Sequence, residues 1–538
     1  MNNLSKKNKI IYSIISGLLL SLAWFNINLD LLLLFAFVPL LIIEQNISDN
    51  KRNNKSINIL FYSTISFIIW NSLTTWWIYN ATFFGMIMAI LVSTFFMDLT
   101  FWGFHIIKRL TNKNIGNFAF ILFWISFEYM YLNGQISWPW LNLGNGFAND
   151  VKIIQWYEFT GTLGGTFWIL LSNILIISII IDYKNRKKNK ANILIFTFFI
   201  IIPITYSLIR YYTYKETGKT KNIVVVQPNI DPYNEKFSGL SFKQQVDLFL
   251  HTADSITTNN TNYVVGPETA IPSGIWESEF ENNLQIKQIR SFLNKHKNIQ
   301  LIVGINSRKA YPKGVKTSTA RKFSDSDNEY YDSFNTAIQI DTSKNIQIYH
   351  KSKLVVGVEM IPFPSIFNKF QDFILDLGGS IGSLGTQKER NVFINIYDST
   401  KIAPVICYES IYGEFVTNYI KKGANFIFVI TNDGWWGDTP GYNQHLSYSR
   451  LRAIETRRSV ARSANTGISA FINQRGDIIK KTKWWVRTAI SAKLKSNNKI
   501  TFYVFAGDYI GKIALFFSIL IILYGIVYKI SKKNTYLQ

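Results

Sequence analysis

One cysteine stands in 538 residues, with five histidines, and only 17% of the chain is charged. A single thiol excludes an internal disulfide framework and a zinc site built on several thiolates. An ordinary soluble enzyme carries about 25% charged residues, so this shortage excludes that class and points to lipid. Acidic residues are scarce too: 34 Asp and Glu against 57 Lys and Arg leave a net charge of +23. With 48% of residues hydrophobic, a disordered basic tail is excluded as well. At about 150 residues per domain, the length predicts several folding units.

What the chain has is long apolar runs without charge. Residues 10–29 and 57–97 form two of them, and 159–181, 191–209 and 513–528 are similar. About 20 apolar residues cross a bilayer as a helix, so 57–97 predicts two spans. Runs 31–43, which is short, and 115–132, which contains Glu128, bring the count to seven before residue 212. An eighth lies near 509–529. The loops carry cations on alternate sides: Lys6, Lys7 and Lys9; Lys51, Arg52 and Lys55; Lys108, Arg109 and Lys113. Lys184, Arg186, Lys187, Lys188 and Lys190 follow, then Lys529, Lys532 and Lys533, against only Lys152 in the opposite short loops. By the positive-inside rule both termini are cytoplasmic and segment 213–508 lies on the exported face. No small-x-small cleavage site lies near Ala23, and more spans follow at once, so the first run reads as a retained helix. Much of the basic excess is therefore topological, and no nucleic-acid partner is expected.

Between 213 and 508 the pattern changes to short β runs separated by polar, helical or Gly-rich pieces. Residues 222–229, 263–268, 300–306, 335–341, 401–409 and 426–433 read as buried strands, and 241–257 as an amphipathic helix. Strands alternating with helices predict an α/β or layered α+β domain. Polar residues close several strands: Glu268 ends YVVGPE, Cys407 and Glu409 end APVICYE, and Asn432 and Asp433 end FIFVITND. Strand ends in such folds share an edge, the usual place for a site.

A cysteine in an apolar strand is most often a small buried hydrophobe. Two facts favour chemistry for Cys407. Glu409 follows by two residues, so strand periodicity puts both on one side. A lone exported thiol also has no internal partner. The base for such a thiol is not obvious among the histidines. His105 lies in a span, and His251, His296, His350 and His445 read as surface or loop residues; no HExxH motif is present. Carboxylates are better candidates. Glu268, in GPETAIP, follows an apolar strand and precedes a turn, where partial burial is expected to raise its pKa; its ordinary alternative is a cap. Lys351, in YHKSKLVVGVE, could lower a neighbouring thiol's pKa and hold an oxyanion, with Lys353 competing for that role. Glu359 lies eight residues on, in an apolar loop that is a poor place for an unpaired carboxylate.

Glu in GPETAIP, Lys in YHKSKLV and Cys in VICYES occur in the order of the nitrilase-like Glu–Lys–Cys triad. TNDGWWGDTPGYNQH (431–445), RAIETRRSVARSANTGISAFIN (452–473), SWPWLNLG (137–144) and the Trp124–Glu128 pair extend the likeness over nearly the whole chain. The sequence resembles the apolipoprotein N-acyltransferase family of the carbon–nitrogen hydrolase superfamily. The resemblance implies a multi-span α-helical membrane domain (1–212), an α/β, nitrilase-like αββα sandwich (213–508) on the periplasmic face, and a C-terminal helix with a cytoplasmic tail (509–538). It implies Cys407 as nucleophile, Glu268 as general base and Lys351 as stabiliser of the tetrahedral intermediate, with Glu359, Tyr408 and Glu409 in support. It implies a monomer in the bacterial inner membrane, acting without cofactor or metal. An acyl chain would pass from a phospholipid, through a Cys407 thioester, to the N-terminal amine of a diacylglyceryl-modified apolipoprotein. Two departures stand out. The family's LVPFGE is LVVGVE here, with Gly357 shifted, and a Trp usual after the first strand is Phe237.

The apolar stretch 354–367 after Lys351 is expected to lie over the bilayer and admit acyl chains, or else to fold into the domain core. The closest rival is a membrane-tethered nitrilase-like amidase cleaving a small C–N substrate, which leaves eight helices unexplained. A transporter or binding scaffold predicts charges lining a membrane path. Only Asp98, Glu128 and Glu158 are expected there.

Overall fold

The computed structural model describes residues 4–25, 27–51, 54–185, 190–323, 328–363 and 383–535. Arg52, Arg186, Lys187, Lys188 and residues 364–367 of the apolar stretch lie outside the described residues. The chain divides into two units. One comprises 1–79, 83–213 and 506–538, and the other 80–82 and 214–505.

The first unit is helical. Its helices are α1 (Lys6–Leu22), α2 (Val38–Asp49), α3 (Asn58–Thr75), α4 (Phe83–Leu110), α5 (Lys113–Asn133), α6 (Tyr157–Lys184) and α7 (Lys190–Thr213), with a C-terminal helix Tyr509–Thr535. Side chains set their starts: Ser5 accepts from Asn8 N ahead of α1, and Asn112 from Ile115 N ahead of α5. Among the described residues seven helices are long and apolar enough to cross a membrane. The helix missing from that set is α3, an expected span, whose composition Asn58, Ser63, Thr64, Ser66 and Asn71 dilute.

The short run 31–43 becomes a 20-residue segment, Asp30–Asp49, built from a 3₁₀ turn and α2. It outruns its apolar stretch because Glu44 has partners: Lys108 Nζ donates to it, and His105 Nδ1 lies 2.8 Å from Oε1. The carboxylates expected in the spans are partnered too. Asp98 accepts from the Ser63 and Thr64 hydroxyls, and Arg210 pairs with Glu158 at 2.8 Å. Glu128 accepts from Trp124 Nε1 (3.1 Å), Leu143 N (2.8 Å) and the Thr166 hydroxyl (2.6 Å). They are held structurally, as buried carboxylates must be.

The second unit begins with β1 (Thr220–Gln227), β2 (Tyr263–Val265), β3 (Ile271–Trp276), β4 (Gln300–Ala310), β5 (Arg321–Lys322), β6 (Tyr330–Ile340) and β7 (Gln347–His350), all in one sheet. A second sheet takes β8 (Phe393–Ile394), β9 (Lys401–Ile406), β10 (Phe426–Thr431), β11 (Ser459–Ala464), β12 (Ala470–Ile472) and β13 (Ile478–Lys481). The last strand, β14 (Thr488–Lys495), returns to the first sheet antiparallel to β1. Alternation along β1 explains the layering. Ile223 and Val225 enter the core shared with β9 and β10, while Val224 and Val226 face α8 (Phe242–Asp254) and α9 (Leu284–Lys295). A capping box between Ser241 and Gln244 starts α8. Helices α10 (Gly413–Lys421) and α11 (Pro440–Thr456) add Val416, Tyr419, Leu446 and Ala453 to the cluster that includes β9 and β10. The layers are helix, sheet, sheet, helix, the expected αββα sandwich.

Strands β1, β2 and β4 run parallel, as do β9, β10 and β11, so within each sheet their C-terminal ends share an edge. Three strands are shorter than expected, β10 among them, which stops at Thr431 rather than 433. β2 stops at Val265, before Gly266 and Pro267, and β9 stops at Ile406. Cys407–Ile411 is a 3₁₀ turn, so the two-residue periodicity that paired Cys407 with Glu409 does not hold there.

Candidate active site

Glu268 sits in the turn after β2. Thr269 has a left-handed φ of 46°, which bends the chain sharply behind it. Gly304 in β4 is the other half of this geometry: a Cβ there would meet Thr269 N at 2.5 Å and Glu268 Cα at 2.6 Å. Only a glycine lets the strand pass so close to the turn.

Lys351 follows β7 and is fully buried. Its backbone N–H donates to Asn335 O (2.8 Å), fixing it against β6. Its Nζ donates to Glu268 Oε1 (3.0 Å) and Glu359 Oε1 (2.8 Å). Asn335 Nδ2 bridges the same two oxygens at 2.7 and 3.0 Å. Glu359 Oε2 accepts from Val355 N at 2.9 Å, closing a small turn in which Gly357 has φ 83°. The glycine displaced in LVVGVE therefore occupies a position that needs positive φ, and Glu359 still reaches Lys351.

Burial works against the Lys351 charge, but Glu268 and Glu359 hold its pKa well above the ordinary lysine value. Burial likewise opposes ionisation of Glu268, and Lys351, with Asn335, outweighs it and holds the carboxyl below its usual range. A second buried cation, Lys236, was not anticipated. Its Nζ donates to Thr269 Oγ1, and burial lowers its pKa to about 8 against the pull of Glu268.

Cys407 is buried and has φ 49°, a conformation few non-glycine residues hold. Burial, followed by the negative charge of Glu268, pushes its thiol up; Lys351 and a hydrogen bond with Thr431 oppose this. The mutual electrostatic influence of Cys407, Glu268 and Lys351 puts the three in one neighbourhood. Glu409 does not share the Cys407 environment as a strand would have arranged it. Its Oε1 accepts from the Tyr349 hydroxyl and Ser352 N, both at 2.7 Å, and its Oε2 from Ile406 N at 2.9 Å. It thereby ties the segment after Lys351 to the turn that carries Cys407. Tyr408 is buried, edge-on to Tyr412 at 5.3 Å. Phe237 is exposed and stacks on Trp435 at 6.3 Å.

One histidine corrects the sequence reading. His445 is not a surface residue; it is fully buried on α11, with Nδ1 2.9 Å from Asp433 Oδ1 and Nε2 3.2 Å from Cys407 O. Arg462, a charge in the middle of β11, donates to Asp433 Oδ2 at 2.6 Å. Burial opposes the Asp433 charge, yet Arg462 and His445 bring its pKa down to about 2. A charged residue inside the short run SVARSA, and an Asn inside β6, were the signals available for Arg462 and Asn335. Among the described residues no group of three or more His, Cys, Asp or Glu is arranged to hold a metal.

In the apolar stretch, Leu354 and Ile361 are buried, while Val358 and Phe363 are exposed. Its described part, 354–363, is part core and part surface.

The chain matches the apolipoprotein N-acyltransferase N-terminal domain over residues 16–175 and the carbon–nitrogen hydrolase family over residues 223–499. It is 28% identical over 513 residues to the apolipoprotein N-acyltransferase of Chlorobaculum tepidum, covering 93% of each chain. It is 24% identical over 564 residues to apolipoprotein N-acyltransferase 1 of Treponema denticola, covering 98% of this chain and 99% of that one. Among solved structures, a branch 10 nitrilase-superfamily member from Saccharomyces cerevisiae is similar at 16% identity and a TM-score of 0.36, over 52% of this chain and 91% of that one.

Proposed function

Because this chain belongs to the carbon–nitrogen hydrolase family, we propose that Cys407 is its nucleophile, Glu268 its general base and Lys351 the cation that steadies the tetrahedral intermediate. The enzyme is an acyltransferase of lipoprotein maturation. It moves a fatty acyl chain from a membrane phospholipid to the N-terminal amine of a diacylglyceryl-cysteine on an apolipoprotein. The observation that carries this reading is the joining of two parts in one chain. An apolar helical part matches the acyltransferase N-terminal domain, a hydrolase-like unit follows, and relatives of that name align along both.

The electrostatics sort the roles. A buried thiol whose pKa is pushed up is protonated at rest, so it needs a base. Lys351, with its pKa raised by two carboxylates, keeps its proton and serves as a fixed positive charge. Glu268, held ionised beside it, accepts the proton. The thiolate sulfur then bonds to the ester carbonyl carbon. Lys351 and the Tyr408 backbone N–H stabilise the oxyanion. As the ester C–O bond breaks, the leaving lysophospholipid oxygen takes the proton from Glu268, and a thioester remains on Cys407. The acceptor amine attacks that thioester and gives its proton to Glu268. The C–S bond breaks, and the thiol recovers the proton. Glu359 shares the charge of Lys351, and Glu409 with Tyr408 shapes the turn behind the nucleophile.

The domains are a membrane part (1–212), a periplasmic catalytic part (213–508) and a final span with tail (509–538). Both termini lie in the cytoplasm, and the protein acts as a monomer in the inner membrane. The amidase alternative uses the same triad with water as acceptor, but a hydrolase of small amides needs no more than one anchor. The test is full-length protein in detergent, given phospholipid and a synthetic diacylglyceryl-cysteine peptide. The expected product is the peptide heavier by one fatty acyl group in amide linkage. Ammonia release from small amides, with no acylated peptide, would favour the amidase.

A further inference from the structure

Beneath the nucleophile lies a fully buried row of polar groups with no part in the chemistry above. Arg462 Nη2 donates to Asp433 Oδ2 (2.6 Å) and lies 3.1 Å from His445 Nδ1. Asp433 Oδ1 also accepts from the Thr431 hydroxyl at 2.9 Å. On the far side of the ring, His445 Nε2 is 3.0 Å from Ser410 Oγ and 3.2 Å from Cys407 O. Ser410 Oγ itself donates to Cys407 O at 2.7 Å.

The neighbours of Nε2 bear on which ring nitrogen carries the hydrogen. The single Ser410 hydroxyl hydrogen is committed to Cys407 O, so Ser410 Oγ faces Nε2 as an acceptor. Cys407 O can only accept. Both neighbours of Nε2 call for an N–H there, and His445 donates it to the Cys407 carbonyl; in the neutral ring Nδ1 then accepts from Arg462 Nη2, 3.1 Å away. Two donors, Ser410 and His445, hold one oxygen of a residue whose φ is 49°.

That oxygen belongs to the peptide that also carries the Tyr408 N–H. In a trans, planar peptide the C=O and N–H point opposite ways. Fixing the carbonyl towards His445 and Ser410 fixes the Tyr408 N–H towards the other side. We propose that His445, set by Asp433 and Arg462, is a positioning residue that aims the Tyr408 N–H at the oxyanion by holding the Cys407 carbonyl. The chain Arg462–Asp433–His445 works as a rigid support, and its charges stay buried because each has its opposite. The inference rests on the reading of Cys407 as nucleophile and adds to it the origin of the strained turn.

The test separates two reactions of the same thiol. Acylation by phospholipid passes through an oxyanion, whereas alkylation by iodoacetamide does not. In full-length protein, His445→Ala should slow single-turnover acylation on the order of 10–100-fold, with KM for phospholipid changed less than about twofold. Iodoacetamide should label Cys407 at close to the wild-type rate. His445→Gln, whose amide can place an N–H near the Nε2 position, should recover most of the loss. Ser410→Ala, which removes the other donor, should show the same selective loss on a smaller scale and serves if His445→Ala does not fold. Equal slowing of acylation and alkylation would overturn the proposal, as would acylation at the wild-type rate in both His445→Ala and Ser410→Ala. A wild-type protein that forms no acyl-enzyme while still acylating the peptide would instead overturn the nucleophile reading, and this inference with it.

Discussion

At Lys351 one buried ammonium serves two carboxylates, and Asn335 bridges them from the other side. Lys351→Met leaves Glu268 and Glu359 buried without the ammonium that joins them. The expected cost is roughly 3–5 kcal/mol of stability. Acylation should also fall by roughly 100-fold or more. Denaturant unfolding and single-turnover kinetics check the two parts separately. Asp433 makes a pH prediction. Its pKa of about 2 lies below the ordinary 3.8, so its contribution is complete above about pH 4 and is lost as pH falls towards 2. The difference corresponds to roughly 2–3 kcal/mol. Asp433→Asn should therefore flatten the acid limb of stability between about pH 4 and 2, and an unchanged acid midpoint would contradict the assignment. Glu268, Lys351 and Cys407 were legible because each ends or follows a β run within a distinctive word. His445 was not. Helix α11 is enclosed on nearly every side and buries Ser447, Ser449, Arg452 and Glu455 along with its apolar residues. A helix whose polar groups are paired internally shows no amphipathic stripe from which burial could be read.

Elements differ from their sequence outlines wherever a partner elsewhere alters the local balance. Helix α2 continues past its apolar run because Glu44 finds Lys108 and His105 on α4. Strand β9 ends one residue before Cys407, since Ile406 N is taken by Glu409 and the chain turns. The close pass of β4 over the Glu268 turn is invisible in the sequence except as a glycine inside a strand. Gly304→Ala should push the turn away and slow acylation on the order of 10–100-fold while the sheet still forms. Circular dichroism together with acylation kinetics distinguishes this from unfolding. The apolar stretch after Lys351 offers a second test at this scale. Leu354 and Ile361 serve the core, so the surface function belongs to Val358 and Phe363. The double change Val358→Asp, Phe363→Asp should raise KM for phospholipid about tenfold, a loss of about 1.4 kcal/mol. Iodoacetamide labelling of Cys407 should be unaffected, and an unchanged KM would remove the stretch from lipid recognition.

For the whole molecule, the scarcity of charge and the single thiol have a common explanation. The apolar excess gathers in one unit, where seven helices are of membrane length among the described residues, and the α/β unit carries the thiol. The buried strands of an α/β or layered α+β domain were legible as continuous apolar runs, whereas the αββα sandwich was legible only through the family resemblance. Hydropathy separates the apolar runs from segment 213–508, but it did not show that 80–82 groups with the second unit. The support under Cys407 was not, since it depends on α11, β10 and β11 meeting only in the folded chain. The central claim is that Cys407 carries the acyl group between donor and acceptor. Mass spectrometry of full-length protein incubated with phospholipid tests it most directly. One fatty-acyl mass is expected on the peptide containing Cys407, removed by hydroxylamine, discharged on adding an amine acceptor, and absent from Glu268→Gln. An acceptor acylated with no adduct on Cys407, or with the adduct on another residue, would contradict it.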